Sequence, residues 1–201
     1  MAGPAPSAHF VSNIAYVRNL LALARSIDAA TTAAVDVGDI QRAAIVMAVS
    51  ALDHYVHEQA RQGMQEVLDG SRVRTAAFER FPVAMALLLD ARSDPTRDEW
   101  LDGAVRAQHG HRPFLKTEDI ADAIRLISDV KLWECVGERL GTPAATVKVR
   151  LQTIVDRRNK IAHEADLDPI VPGRRWPITD RLASDAVDYV VAVVEAIEAS
   201  A

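Results

Sequence analysis

The fold class is indicated by residues 42–68, which read RAAIVMAVSALDHYVHEQARQGMQEVL. Apolar side chains recur there every three or four residues, a spacing that places them on one face of an α-helix. These side chains are Ala44, Met47, Ala48, Leu52, Tyr55 and Val56. Asp39 precedes the stretch as a candidate N-cap, and Gly70 follows it as a candidate end. The stretch therefore predicts a long amphipathic helix.

The same periodicity predicts helices on either side of this stretch. Before it, we expect a first helix over roughly residues 8–30. After it, the almost wholly apolar run from Val83 to Leu89 predicts a short buried helix. Ser93-Asp94-Pro95 then combines a capping side chain with a proline suited to the first turn, so a helix is expected from there through Trp100 to about Gly110.

Three threonines mark the starts of the remaining predicted helices. Thr117 is expected to cap one helix that continues to about Leu140. Thr142-Pro143 opens the next helix, which ends before a loop rich in proline and glycine, and Thr179 opens the last. Since no long stretch alternates with period two, the sequence predicts an all-α protein.

Composition limits the class of protein further. The chain has 201 residues, 49% of them hydrophobic, and neither a repeat nor a linker divides it, so one domain over 1–201 is expected. No apolar run approaches the length of a membrane span, and the single cysteine, Cys135, suits a reducing compartment. We therefore expect a soluble cytoplasmic protein without membrane association.

The net charge of −5 argues against a protein that coats nucleic acid non-specifically. The charge is uneven, however, since residues 148–181 contain eight Lys and Arg against five Asp and Glu. This zone is either a solvated helix face or a local anion-binding surface.

Arg158 interrupts the apolar face of the helix that follows Thr142. The face runs through Val147, Leu151, Ile154 and Val155 and resumes at Ile161, so an aliphatic residue is expected at position 158. A guanidinium keeps its charge and is costly to bury unpaired. Arg158 therefore predicts a cleft, a carboxylate, a subunit boundary or an anionic ligand, unless its head simply reaches solvent or pairs with a neighbouring helix.

His163 lies five residues after Arg158, about 140° around an ideal helix and about 7.5 Å along it. Asn159 shares the face of His163. For the Arg and His to converge, either the helix is distorted near Ala162 or two copies of the chain meet. An arginine can stabilise charge on a phosphate, and an imidazole exchanges protons near neutral pH.

The string RRNKIAHEAD (157–166) resembles the signature of the HEPN superfamily (higher eukaryotes and prokaryotes nucleotide-binding). That signature is an Arg, usually followed by a polar residue, and a His after four to six further positions; Arg158, Asn159 and His163 match it. The string ALDHYVHEQ (51–59), preceded by RAAIVMAV, resembles the second helix of the RiboL-PSP branch.

The resemblance implies an antiparallel helical bundle, with additional helices inserted between the second core helix and the motif helix. It also implies a homodimer with a metal-independent, cofactor-free endoribonuclease site where two motifs meet. His163 would move the proton, Arg158 would stabilise the phosphate in the transition state, and Asn159 would orient either His163 or the phosphate. Related proteins include toxins and defence effectors, so an antitoxin or regulatory protein is an expected partner.

Weaker candidates surround this motif. Arg157 and Lys160 are candidate phosphate-binding groups for an RNA substrate. Asp53 and His57 are chiefly a helix-surface pair, although Asp53 could pair with Arg158 and His57 could line the site. The His109-Gly110-His111 triplet lacks the companion ligands of a zinc site. The alternatives to a ribonuclease are a non-catalytic module that binds nucleotide or RNA and a structural partner in a larger complex.

Overall fold

The computed structural model describes residues 5–32, 34–93 and 100–201. Regular structure in these ranges is helical, apart from an isolated antiparallel bridge between Leu167 and Arg175. The helices are α1 (Pro6–Thr31), α2 (Gly38–Leu68), α3 (Ala76–Glu79), α4 (Met85–Ser93), α5 (Trp100–His109), α6 (Thr117–Arg125), α7 (Leu132–Arg139), α8 (Ala144–Glu164) and α9 (Asp180–Glu198). The predicted all-α class is confirmed.

Helix α2 lies at the centre of the core, in contact with α1, α5, α6, α8 and α9. Its Leu52, Tyr55 and Val56 are each at most 1% exposed, as the periodicity of residues 42–68 predicted, but Met47, expected on the same face, is 41% exposed. At Gly63 the helix approaches its neighbour so closely that an added Cβ would lie 2.7 Å from Cγ2 of Ile127. Small residues on α2 therefore set the distance between core elements.

Ion pairs and a hydrogen bond show that neighbouring helices run antiparallel. Arg18 pairs with Asp188 at 3.4 Å, and Arg25, further along α1, pairs with Asp180 nearer the start of α9. Tyr189 on α9 donates its hydroxyl to the carbonyl of Val147 at 3.3 Å, near the start of α8. The molecule is thus a helical bundle. None of its described helices is long and apolar enough to cross a bilayer.

The prediction of a buried helix at 83–89 is wrong in its burial. Helix α4 forms, but none of its residues is buried, and Met85 and Leu89 are 68% and 56% exposed. Its main neighbour is α5, and none of its residues belongs to the hydrophobic core. An apolar run predicts a helix but does not show that a partner covers it.

The prediction of one helix from Thr117 to Leu140 is also wrong. The chain forms α6 and α7 instead, and the link between them turns Ile127 into the core, where it is 1% exposed. Thr75 donates its hydroxyl to the carbonyl of Leu126 at 3.1 Å, which satisfies one of the groups freed by the break. Tertiary burial and this bond therefore override the local helical pattern.

The capping predictions have mixed outcomes. Thr179 caps α9 as expected, accepting the N–H of Leu182 at 3.2 Å. Thr117 instead lies inside the first turn of α6, and Thr142 bonds back to the carbonyl of Leu140. Asp39 falls within α2, because that helix begins at Gly38.

The predicted start of α5 at Ser93-Asp94-Pro95 involves residues 94–99, which lie outside the described residues. From Trp100 onward the helix is present and ends at His109, one residue before the expected Gly110.

Candidate functional site

Helix α8 carries the Arg-His motif on its last two turns. The side of α8 that faces the core begins with Val147, Leu151 and Val155, each at most 1% exposed. Arg158 follows on the same side but is only partly buried, and Ala162, one turn later, is exposed. The buried side of α8 therefore becomes partly uncovered from Arg158 onward, although Ile161 still packs against the core.

The Arg158 guanidinium is incompletely satisfied. Its Nη1 donates to Oδ1 of the adjacent Asn159 at 3.1 Å. Its Nε is buried without a hydrogen-bond partner, and no carboxylate of the described residues lies within ion-pair distance. A buried donor without an acceptor costs about 1–3 kcal/mol. Nη2 of Arg158 has no hydrogen-bond partner among the described residues and, unlike Nε, is not enclosed, so it is the donor that an acceptor from outside this chain could reach.

His163 is exposed in the last turn of α8. The helix is continuous from Ala144 to Glu164, so the structure does not show the distortion near Ala162 that would turn His163 toward Arg158. On a regular helix the two side chains leave the axis about 140° apart. A single copy therefore presents Arg158 and His163 on separate sides, with Asn159 between them.

Lys160 contacts the loop that follows α8. Its ammonium lies 5.4 Å from the centroid of the Trp176 ring, a cation–π arrangement. The loop folds back at a bond from the N–H of Asp168 to the carbonyl of Arg174, 2.7 Å long. Lys160 thus places a positive charge beside the motif.

A buried ion cluster anchors this end of α8. The Asp166 side chain is 1% exposed, and its Oδ2 accepts Nε of Arg42 at 2.7 Å and Nη2 of Arg157 at 2.8 Å. Both arginines also donate Nη2 to the carbonyl of Trp176, at 2.9 Å and 3.3 Å. Asp166 has a φ of 60° and donates its N–H to the carbonyl of Lys160. The cluster joins α2, α8 and the following loop.

Sequence reasoning placed Arg157 among the phosphate-binding candidates and did not identify this cluster. The structure engages Nη2 of Arg157 with Asp166, and burial lowers the pKa of the guanidinium, an effect that Asp166 partly opposes. This geometry favours a structural role. The signal that could have revealed the cluster is Arg42, a cation three residues before Ile45 on the buried face of α2.

Asp53 and His57 lie away from the motif. Asp53 Oδ1 accepts the backbone N–H of Phe114 at 2.6 Å and lies 3.7 Å from Nε2 of His57. The His57 ring packs on Phe114 with centroids 4.5 Å apart. Asp53 thus forms no ion pair with Arg158, because the loop before α6 occupies its carboxylate.

Of the two turn histidines, His109 is buried at the end of α5 and His111 is exposed. Burial lowers the pKa of His109 to about 4, with smaller contributions from His57 and Arg112. Within the described ranges, no three His, Cys, Asp or Glu side chains are grouped in a way that could hold a metal ion.

Comparisons of this chain with protein-family models, with curated proteins and with solved structures find no match. Functional inference therefore depends on the residues and their geometry.

Proposed function

We propose that this protein is a HEPN-type endoribonuclease whose site forms between two copies of α8. The observation that carries the proposal is the partly buried Arg158, whose Nη2 has no hydrogen-bond partner among the described residues, beside the exposed Ala162 near the end of α8. A second copy that covers this surface would bring Arg158 of one subunit toward His163 of the other. Proton-transfer and phosphate-stabilising groups would then converge.

In the proposed reaction the 2′-hydroxyl of RNA attacks the adjacent phosphorus while His163 accepts the hydroxyl proton. The bond to the 5′-oxygen breaks as the protonated His163 gives the proton to that oxygen, which leaves a 2′,3′-cyclic phosphate and a 5′-hydroxyl end. Arg158 stabilises the charge on the phosphate oxygens, and Asn159 holds the guanidinium through the contact already present. Lys160 attracts the RNA backbone without selecting a base.

The direct test is incubation of the purified protein with single-stranded RNA in EDTA. We expect cleavage that leaves cyclic phosphate ends and that is lost in His163→Ala. The matched control is His111→Ala, which removes an exposed histidine outside α8. Uncut RNA after prolonged incubation with the folded wild-type protein would contradict the proposal.

Arg158 is tested in the same assay by Arg158→Ala. The control here is Arg150→Ala, because Arg150 is an exposed arginine of the same helix that stacks over the Tyr189 ring at 4.0 Å. Loss of one interaction made only in the transition state lowers the rate by about 100-fold or more. An equal effect of both substitutions would mean that α8 supplies charge without a specific site.

One observation favours a second candidate, a non-catalytic RNA-binding module. No hydrogen bond from a described residue orients the His163 imidazole, whereas catalytic histidines commonly have such a partner. In that case RNA binding would survive His163→Ala and fail in Arg158→Ala, and no cyclic phosphate would appear.

A further inference from the structure

A cleft of about 210 Å³ opens between α8 and α9, beside the buried ion cluster. Its wall is mostly aliphatic, and Arg157 is its charged member. The aliphatic contacts come from α2, α8, the loop before α9 and α9 itself: Ile45, Ile154, Ile178, Leu182 and Ala186. The cleft is smaller than the roughly 300–1,000 Å³ of pockets that take drug-sized ligands. It therefore suits a small, largely aliphatic molecule.

The charges at this wall do not balance. The buried guanidinium of Arg42 and the partly buried guanidinium of Arg157 share the buried carboxylate of Asp166. Asp39 also lies near Arg42, at 3.5 Å, but its side chain is 71% exposed and it pairs with Arg175 as well. The guanidinium groups of Arg42, Arg157 and Arg175 thus pair with two carboxylates, those of Asp166 and Asp39. One positive charge is left over beside the aliphatic cleft.

Arg157 has donors left over to meet an anion. Its described hydrogen bonds all use Nη2, toward Asp166 and the carbonyls of Trp176 and Pro177. Neither Nε nor Nη1 of Arg157 has a hydrogen-bond partner among the described residues, and neither is a buried orphan atom. These two N–H groups lie on opposite edges of the guanidinium plane, so a carboxylate can accept one charge-assisted hydrogen bond from either of them but not a paired one.

We propose that the cleft binds a small carboxylate with an aliphatic tail, its head group on one unpartnered N–H of Arg157, at Nε or Nη1, and its tail against Ile154, Ile178 and Leu182. The tail is needed because the wall is aliphatic, and the negative head is needed because the cluster carries an excess positive charge. The proposal does not depend on RNA cleavage, and its test contains no RNA.

The test follows the ¹⁵N–¹H NMR signals of Arg157 Nε and of the Ile178 and Leu182 amides during titration with hexanoate. Hexanoate should shift all three signals saturably, with a Kd on the order of 1 mM for a ligand of this size. Two related ligands test the charge and the tail of hexanoate separately. Hexanamide keeps the tail without the charge, and acetate keeps the charge without the tail. Each should bind about tenfold more weakly than hexanoate.

Two variants locate the binding. Ala186→Leu fills the cleft without touching the ion cluster and should abolish the shifts, whereas Asp185→Leu, its neighbour outside the cleft, should leave them unchanged. Arg157→Gln should make hexanoate and hexanamide bind equally. Equal binding of the two ligands to the wild-type protein would overturn the proposal, as would unchanged hexanoate binding in Ala186→Leu. If Arg157→Gln does not fold, the comparison of ligands still decides.

Discussion

At the scale of single residues, His109 gives the bundle a defined response to acid. Its ring packs edge-on against Phe81 and Phe114, with centroids 5.6 Å and 5.1 Å away, and its Nδ1 is buried without a partner. Burial lowers its pKa from 6.5 to about 4. Between these values the unfolded chain binds a proton that the folded chain does not, so stability falls as the pH drops through that window.

We expect acidification from pH 7 to pH 4 to remove on the order of 3 kcal/mol of stability through His109. His109→Phe should flatten that part of the stability profile, because it keeps the aromatic packing and removes the titrating group. Urea denaturation at a series of pH values measures this, with His111→Gln as the control. An unchanged profile in His109→Phe would show that other groups cause the acid sensitivity.

Asp166 is the residue whose loss should cost the most stability. Asp166→Asn retains a side chain that tolerates the left-handed backbone, but it leaves Arg157 without a carboxylate partner and the buried Arg42 with only the exposed Asp39 at 3.5 Å. Breaking a buried ion pair in this way costs about 3–5 kcal/mol. The control, Asp168→Asn, should change stability by less than about 0.5 kcal/mol. Similar denaturation midpoints for the two variants would contradict the structural role of the cluster.

These residues differ in how far the sequence reveals them. Arg158 is visible because it interrupts an apolar pattern on its own helix. Asp166 is not, because Arg42 lies 124 residues away along the chain and only the folded bundle brings them together. The sequence predicts Arg157 to be a phosphate-binding group. Its pairing with Asp166 is not visible there, because Asp166 follows in a loop without periodicity.

At the scale of helices, the effect of replacing a glycine by alanine depends first on how closely a neighbouring element approaches that position, and only then on helix propensity. In Gly63→Ala the new Cβ would meet Ile127 at 2.7 Å, whereas in Gly103→Ala it would meet nothing within 4 Å. We expect the first change to destabilise the protein by about 1–3 kcal/mol through overpacking. The second should stabilise α5 by about 0.5–1 kcal/mol. Thermal denaturation of the two variants decides, and a stabilised Gly63→Ala would contradict the packing between α2 and Ile127.

Helices with a long apolar repeat, such as α2 and α9, could be predicted from the sequence because their pattern and their burial coincide. The break between α6 and α7 could not, since it depends on the bond from Thr75 to Leu126 and on the burial of Ile127. The exposure of α4 could not be predicted either. The apolar side chains of a helix indicate how much free energy burial would contribute, but not whether another element covers them.

At the scale of the whole molecule, the sequence predicts a helical bundle, and the structure confirms that class. The proposed dimer cannot be predicted in the same way, because an interface is made of two surfaces and a single chain supplies only one of them. The proposed second copy of the chain would cover α8 at the partly buried Arg158 and the exposed Ala162. The central claim is therefore that Arg158 and His163 act together across two subunits.

Mixing two inactive variants tests this claim most directly. Arg158→Ala and His163→Ala are each expected to lack cleavage, but a dimer with one copy of each retains one site with both groups intact. After subunit exchange at equal concentrations, cleavage of single-stranded RNA should return to about a quarter of the wild-type rate, because half of the dimers are mixed and each has one of two sites. Absence of any recovery, with mixed dimers present and the wild-type protein active, would contradict a site shared between subunits.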